Sequence, residues 1–256
     1  MERNKMHRFF VEKHNIDREK KSVLINEGED VKHISKVLRL DIGEKIEICD
    51  GHNKEYICEI EYMSKKDIRV SIIGEKESNR EADVIIDLYQ GLPKATKMDT
   101  IIQKCTELGI NKIIPILTKR CVAQIKDKKS EEKKLERWEK IALSAAKQCK
   151  RGKIPTIGKL HRLNEAIDKL KEYDIAVVAY EDEETHGLKN LLRNSKYEKI
   201  AIIIGPEGGF EKEEIDIIKN NHGKSITLGP RILRTETAGF TALSIIMYEI
   251  GDLGGR

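Results

Sequence analysis

Residues 201–215, AIIIGPEGGFEKEEI, place four apolar residues before a loop with three glycines and a proline, and then an acidic helical pattern. Strand, glycine loop and helix in that order form the unit that often holds nucleotide-like ligands. The loop GPEGGF has neither the Gly-Lys-Ser/Thr ending of a phosphate loop nor the G-x-G-x-x-G of a dinucleotide site. Glu207 lies inside it, and Glu211, Glu213 and Glu214 follow where a helix N-terminus would otherwise attract a phosphate. A neutral or cationic ligand therefore fits better than a polyphosphate. Gly205, Gly208 and Gly209 would let backbone groups approach a flat heterocycle. A tight turn without a ligand is the other reading of the glycines by themselves.

A second unusual stretch follows at 225–250, SITLGPRILRTETAGFTALSIIMYEI. A short strand leads through Gly229 and Pro230 into a polar cluster from Arg231 to Thr237, and then into a helix from Ala238 to Ile250 whose only charge is Glu249. Such a helix must be buried, in the core or against a second subunit. The polar cluster is dense for a loop that only turns a corner.

Upstream of these loops, from Asp83 onward, strands alternate with helices. DVIIDLYQ precedes a helix with Met98, Ile101, Ile102, Cys105 and Leu108 inward and Gly109 as its stop, and strand KIIPILT follows. A long helix starts at Ser130 as N-cap, with Leu135, Trp138, Ile141, Ala142 and Ala145 on one face and lysines on the other. DIAVVAY, KIAIIIG and SITLG supply further strands. The pattern predicts an α/β domain whose largely parallel sheet is buried on both faces.

Residues 1–75 read differently, as small strands with turns. Ile46 and Ile48, then Cys58, Ile60 and Tyr62, alternate with polar residues as in a half-buried hairpin. GEDVKHISKVLRL is the one helical pattern, with Val31, Ile34, Val37 and Leu38 on one face, and a compact β-barrel carrying one helix is the expected build. The polar stretch 74–83 marks the boundary, giving domains 1–75 and 76–256.

Charged residues make up 36% of the 256 residues, and hydrophobic ones 39%, so a sizeable core is available and a disordered chain is excluded. The net charge of +4 is unevenly spread: residues 112–162 hold 16 Lys or Arg against 5 Asp or Glu, whereas residues 1–76 hold 16 of each. This local excess suits either a solvated helical face or an anionic polymer. No segment approaches the roughly 18 apolar residues of a membrane span, and the start MERNKMHRFF lacks an apolar signal core, so a cytoplasmic protein is expected. Cys49, Cys58, Cys105, Cys121 and Cys149 are odd in number and form no C-x-x-C, which argues against a disulfide framework or a zinc site. No metal is expected.

Taken together, IGPEGGF and LGPRILRTETA, preceded by QGLPKATKMDTIIQKCTELGI and RWEKIALSAAKQCKRGKIP and opened by MHRFFV, resemble the ribosomal RNA small subunit methyltransferase E family. The resemblance spans Met6 to Leu253. It implies a SPOUT-type α/β domain with a C-terminal trefoil knot, preceded by a PUA-like barrel. It also implies methylation of N3 of one uridine in the decoding region of 16S rRNA, in the assembled small ribosomal subunit, by a homodimer using S-adenosylmethionine. That cofactor carries a sulfonium cation and no phosphate, in line with the acidic loop.

Residue by residue, the resemblance places Gly205, Pro206, Glu207, Gly208 and Gly209 in one cofactor loop. Leu228, Gly229, Ile232, Leu233, Arg234 and Thr235 fall in the other. Arg234 is the candidate for holding the uracil oxygens or a phosphate, and Glu236, or else Glu207, for accepting the N3 proton. His7, Arg8, Arg39, Lys94, Lys147, Lys150, Arg151 and Lys153 are candidates for meeting RNA. Two other classes remain: an RNA-binding assembly protein with vestigial loops, and a nucleotide-dependent enzyme, which the acidic loop disfavours.

Overall fold

The computed structural model describes residues 6–123, 125, 127–193 and 196–255. The chain forms two compact units. One comprises Met1–Glu81 with Ala146–Ile154, and the other Ala82–Ala145 with Pro155–Arg256. The return of 146–154 to the first unit has no counterpart in the sequence pattern.

The first unit is built on strands β1 (Arg8–Phe10), β2 (Ile16–Asp17), β3 (Ser22–Ile25), β4 (Lys45–Cys49), β5 (Lys54–Met63) and β6 (Ile68–Glu77), with helix α1 (Gly28–Lys32). They form one sheet in the order β1-β4-β5-β6-β3-β2, parallel between β1 and β4 and antiparallel elsewhere. Phe9, Val23, Ile34, Ile46, Ile48, Tyr56, Ile60 and Val70 lie in its core.

Three sequence expectations change here. The helical stretch widens after α1 into a π-helical turn over His33–Leu38 that ends on Arg39 in the left-handed region, φ 54°. The wider turn rotates the face, so Val31 and Ile34 are buried while Val37 is 70% exposed. In β5 the register slips between Ile60 and Tyr62, and this bulge turns Tyr62 outward against the Arg69 guanidinium. The polar stretch from residue 74 is not all linker, because β6 pairs with β5 as far as Glu77 opposite Lys54.

β4 also departs from simple alternation, since Glu47 is as buried as its apolar neighbours. Its partner is Arg8, whose side chain is only 2% exposed. The guanidinium donates to Glu47 Oε2 at 3.0 Å, to Glu55 Oε1 at 2.5 Å, and to the carbonyls of Lys150 and Arg151 at 2.8 and 2.7 Å. Lys76 bridges the same two glutamates at 2.9 and 3.1 Å. Burial by itself would raise the Glu47 carboxyl, but Arg8 and then Lys76 outweigh it and hold it down at about 2.

The second unit is α/β with a parallel sheet. Its strands are β7 (Ile85–Gly91), β8 (Lys112–Leu117), β9 (Thr156–Ile157), β10 (His161–Arg162), β11 (Ile175–Ala179), β12 (Lys199–Ile204) and β13 (Gly223–Ile226). The order is β10-β8-β7-β12-β11-β13, with β9 also on β8, and every pairing is parallel. The helices are α2 (Lys97–Glu107), α3 (Lys128–Cys149, whose last turn counts with the first unit), α4 (Leu163–Ile167), α5 (Leu188–Arg193), α6 (Lys212–Asn220) and α7 (Thr235–Ile250). The central strands are buried almost throughout, as their Ile- and Val-rich runs predict.

α3 begins two residues before Ser130, and Asp127 takes the capping role by accepting the Ser130 N–H at 2.7 Å. α7 begins at Thr235, three residues ahead of the expected start, and buries Ala238, Ala242, Leu243, Ile246 and Met247 within its own chain, leaving Tyr248 68% exposed. Cys49, Cys58 and Cys105 are free and buried, and burial pushes their thiols up to about 11, 12 and 12. No helix among the described residues is long and apolar enough to cross a membrane.

The end of β7 lies against the glycine loop. A Cβ on Gly91 would sit 2.4 Å from the Pro206 nitrogen and 2.7 Å from the Gly205 carbonyl carbon, so only glycine fits.

Three outcomes are expected. Gly91→Ala should lower the unfolding free energy by about 2 kcal/mol in urea denaturation, because backbone cannot yield as a side chain would. Arg8→Met should cost about 3 kcal/mol, the usual scale for removing one partner of a buried ion pair. The depressed Glu47 carboxyl stabilises the fold fully above its ordinary value of 4.5, and that stability is lost as pH falls toward about 2. Acid unfolding followed by circular dichroism should therefore begin below about pH 4.5 in the wild type and at higher pH in Arg8→Met.

Candidate functional site

The carboxyl ends of three adjacent strands, β12, β11 and β13, border one cavity of about 820 Å³ through Ile204, Ala179 and Ile226 and the segments that follow them. Open parallel sheets bind ligands at this end, and the volume lies in the range of about 300–1,000 Å³ usual for small-molecule sites. The first loop contributes Gly205, Pro206, Glu207, Gly209 and Phe210, and the second every residue from Leu228 to Thr235. The structure thus brings together the two loops that the sequence singled out.

Gly208 does not line the cavity. A Cβ there would point the other way, 3.0 Å from Arg120 Cβ. Arg120 backs the loop: its guanidinium donates to the Gly208 carbonyl at 3.0 Å and to both oxygens of Glu211 at 2.9 and 3.2 Å. A Cβ on Gly205 would press on the Phe210 ring at 3.1 Å, and Gly209 has φ +69°. Gly205 and Gly208 therefore serve the packing of the loop itself, whereas a Cβ on Gly209 would lie 3.4 Å from Glu181 Oε1 of the cavity wall. Gly229 differs, with φ +121° and open space where a Cβ would be.

The two loops are joined under the cavity. The buried Thr235 hydroxyl donates to the Gly205 carbonyl at 2.5 Å and accepts from Gln90 Nε2 at 2.9 Å, and the same Nε2 reaches the Gly91 carbonyl at 3.0 Å.

Four glutamates, at 181, 183, 184 and 207, line the cavity against three cations, Lys97, Arg231 and Arg234. Glu183 is held well below the ordinary carboxylate range by the Ser225 hydroxyl first, then by Thr185 and His186. Burial opposes ionisation of Glu207, but its own N–H, the Lys94 N–H at 3.0 Å and the Lys97 ammonium at 3.1 Å hold its carboxyl down. A wall of this kind suits a ligand with a cationic centre and disfavours a polyphosphate.

The candidate catalytic residues separate. Arg234 is exposed on the cavity wall with no ion pair among the described residues. Glu236 does not line the cavity, and its Oε2 is buried 3.3 Å from Lys97. Sequence reading missed Lys97, Arg120 and the segment after β11. A signal existed for the last: DIAVVAY was recognised as a strand, and the loop after a strand neighbouring β12 belongs to the same crevice.

Among the RNA candidates, three already have partners within the protein. Arg8 is spent on Glu47 and Glu55, Arg151 on Glu81 at 2.6 Å, and Lys147 on Asp30 at 2.7 Å. A linear charge count does not see carboxylates delivered by distant segments. Within the first unit His7, Arg39 and Lys153 are exposed and Lys150 is half-buried; within the second, Lys94 is exposed.

A family model described as an RNA methyltransferase domain matches residues 80–247, and one described as an RNA methyltransferase PUA domain matches 25–73. The ribosomal RNA small subunit methyltransferase E of Bacillus subtilis (strain 168) is 36% identical over 98% of this chain and 99% of its own. That of Aquifex aeolicus (strain VF5) is 33% identical over 94% and 99%. Among solved structures, a Legionella pneumophila methyltransferase in complex with the bound cofactor SAM is 33% identical, with a TM-score of 0.86 over 97% of this chain and 99% of that one. A Neisseria gonorrhoeae ribosomal RNA small subunit methyltransferase E bound to S-adenosyl methionine is 28% identical, with the same TM-score and coverage. With two loops at one cavity and relatives matched along nearly their whole length, the chain belongs to the ribosomal RNA small subunit methyltransferase E family.

Proposed function

We propose that this protein transfers a methyl group from S-adenosylmethionine to N3 of a uridine in the decoding region of 16S rRNA. The observation that carries the reading is the single cavity bordered by both loops, with four glutamates in its wall. S-adenosylmethionine would supply an electrophilic methyl on a sulfonium, and the acidic wall fits that cation. Gly205, Pro206, Glu207, Gly209 and residues 228–235, which line the cavity, would hold it, with Gly208 acting from behind through Arg120.

The chain's own task is to orient and stabilise. N3 lies on the Watson–Crick edge, so the target must be unpaired and splayed from its stack. Arg234, exposed and without an ion-pair partner among the described residues, would meet the uracil oxygens or a phosphate and offset charge as the N3 proton leaves. Glu236 would accept that proton only through its oxygen not taken by Lys97.

The domain assignment belongs to the same proposal, with its bounds moved from 75/76 to those of the two units: Met1–Glu81 with Ala146–Ile154 as a PUA-like barrel that binds RNA, and Ala82–Ala145 with Pro155–Arg256 as a SPOUT-type, knotted methyltransferase domain. His7, Arg39, Lys94, Lys150 and Lys153 are the RNA contacts it keeps. We place the enzyme in the cytoplasm, acting on the assembled small subunit as a homodimer. Tyr248, the large apolar side chain of α7 that is 68% exposed, would meet the second copy.

The test is transfer of labelled methyl from S-adenosylmethionine to small subunits lacking the modification, followed by nucleoside analysis. Label should appear on N3-methyluridine. Arg234→Ala should lower turnover at saturating RNA about 100-fold, the scale for losing one charge-stabilising donor, while RNA binding is largely kept. Label on ribose or on another base would overturn the substrate assignment.

A further inference from the structure

Lys97 opens α2, where the positive end of the helix dipole disfavours a cation. The position is nevertheless rigid, because Met98, Ile101 and Ile102 behind it are almost wholly enclosed. Two carboxylates from different parts of the chain converge on its ammonium: Glu207 Oε1 of the first loop at 3.1 Å and Glu236 Oε2, next to the second loop, at 3.3 Å. Glu207 first, then Glu236, push the ammonium above its ordinary range, although desolvation opposes them. Glu236 Oε2 is buried without a hydrogen bond, so the ammonium is what compensates its charge.

We propose that Lys97 is a positioning residue that couples the two cavity loops, its ammonium tying Glu207 of one to Glu236 of the other so that both keep the geometry that receives the cofactor. The proposal rests on the methyl-transfer reading for its consequence and on the ion-pair geometry for its mechanism. Removing the ammonium leaves two carboxylates facing each other without a counter-charge, and each loop loses its tie to α2. The hydrogen bonds of Thr235 remain, so the fold survives while the upper parts of both loops loosen. Affinity for the cofactor falls, since a site that is less often in its competent form binds more weakly.

Lys97→Met and Lys97→Arg decide the matter, with amide hydrogen exchange of segments 205–211 and 228–237 measured in the protein without cofactor, and S-adenosylmethionine binding measured by calorimetry. Lys97→Met should speed exchange in both segments together and raise the dissociation constant about tenfold, a modest figure because the pair is partly exposed. Lys97→Arg should restore most of both effects. KM for the small subunit should stay near the wild-type value while KM for S-adenosylmethionine rises about as much as its dissociation constant. In a Glu236→Gln background, adding Lys97→Met should weaken binding less than it does in the wild type, as expected of coupled residues. Faster exchange in only one segment, or cofactor affinity within about twofold of wild type, would overturn the coupling. Failure of the wild type to bind S-adenosylmethionine would instead refute the methyl-transfer reading, and the exchange result would still decide the role of Lys97.

Discussion

The arrangement of the second unit depends on one hydroxyl. Thr235 Oγ1 is buried at the start of α7, and its hydrogen bonds run to the ends of β12 and β7 through Gly205 and Gln90. A buried hydroxyl without partners is costly, so these segments are held in one register with respect to each other. Gly91 completes the junction by letting Pro206 approach closer than any side chain would allow. Methyl transfer needs donor and acceptor held in line at near-attack distance, which a pair of independently mobile loops could not provide. The junction supplies that rigidity from below, and the charged groups around Lys97 supply it at the wall.

Charge is used in two ways. In the first unit, Arg8, Lys76, Glu47 and Glu55 neutralise one another inside the sheet, and their value lies in fixing which strands meet. In the second unit, charges are left facing a cavity, where they select the sign of the ligand. The net charge of +4 reports neither use.

Much of this was legible. Four parallel strands, β7, β8, β11 and β12, were readable as apolar runs, and the two loops from their glycines and polar clusters, because these features are local; β13 instead covers Gly223–Ile226, two residues ahead of the expected SITLG run. What escaped was of two kinds. Small departures in backbone geometry, the π turn after Lys32 and the bulge before Tyr62, reversed the facing of Val37 and Tyr62 without any change in residue type. Long-range pairing was also invisible: Glu81 meeting Arg151, Asp30 meeting Lys147 and Glu211 meeting Arg120 join positions tens of residues apart or more. Side chains that looked free for RNA were thereby already engaged, whereas Lys97, unremarkable in the sequence, stands on the cavity wall.

The first unit is discontinuous along the chain, and this bears on how it is made. The Arg8 guanidinium takes two of its acceptors from residues 142 and 143 positions further on, and Cys49 Sγ reaches the Gly152 carbonyl across 103 positions. A nascent chain that has just cleared the ribosome at Glu81 holds every strand of this sheet but lacks the carbonyls that satisfy its buried arginine. These last acceptors arrive only after residues 82–145 of the second unit have been synthesised, so the buried arginine has Glu47 and Glu55 at first and its two carbonyls later.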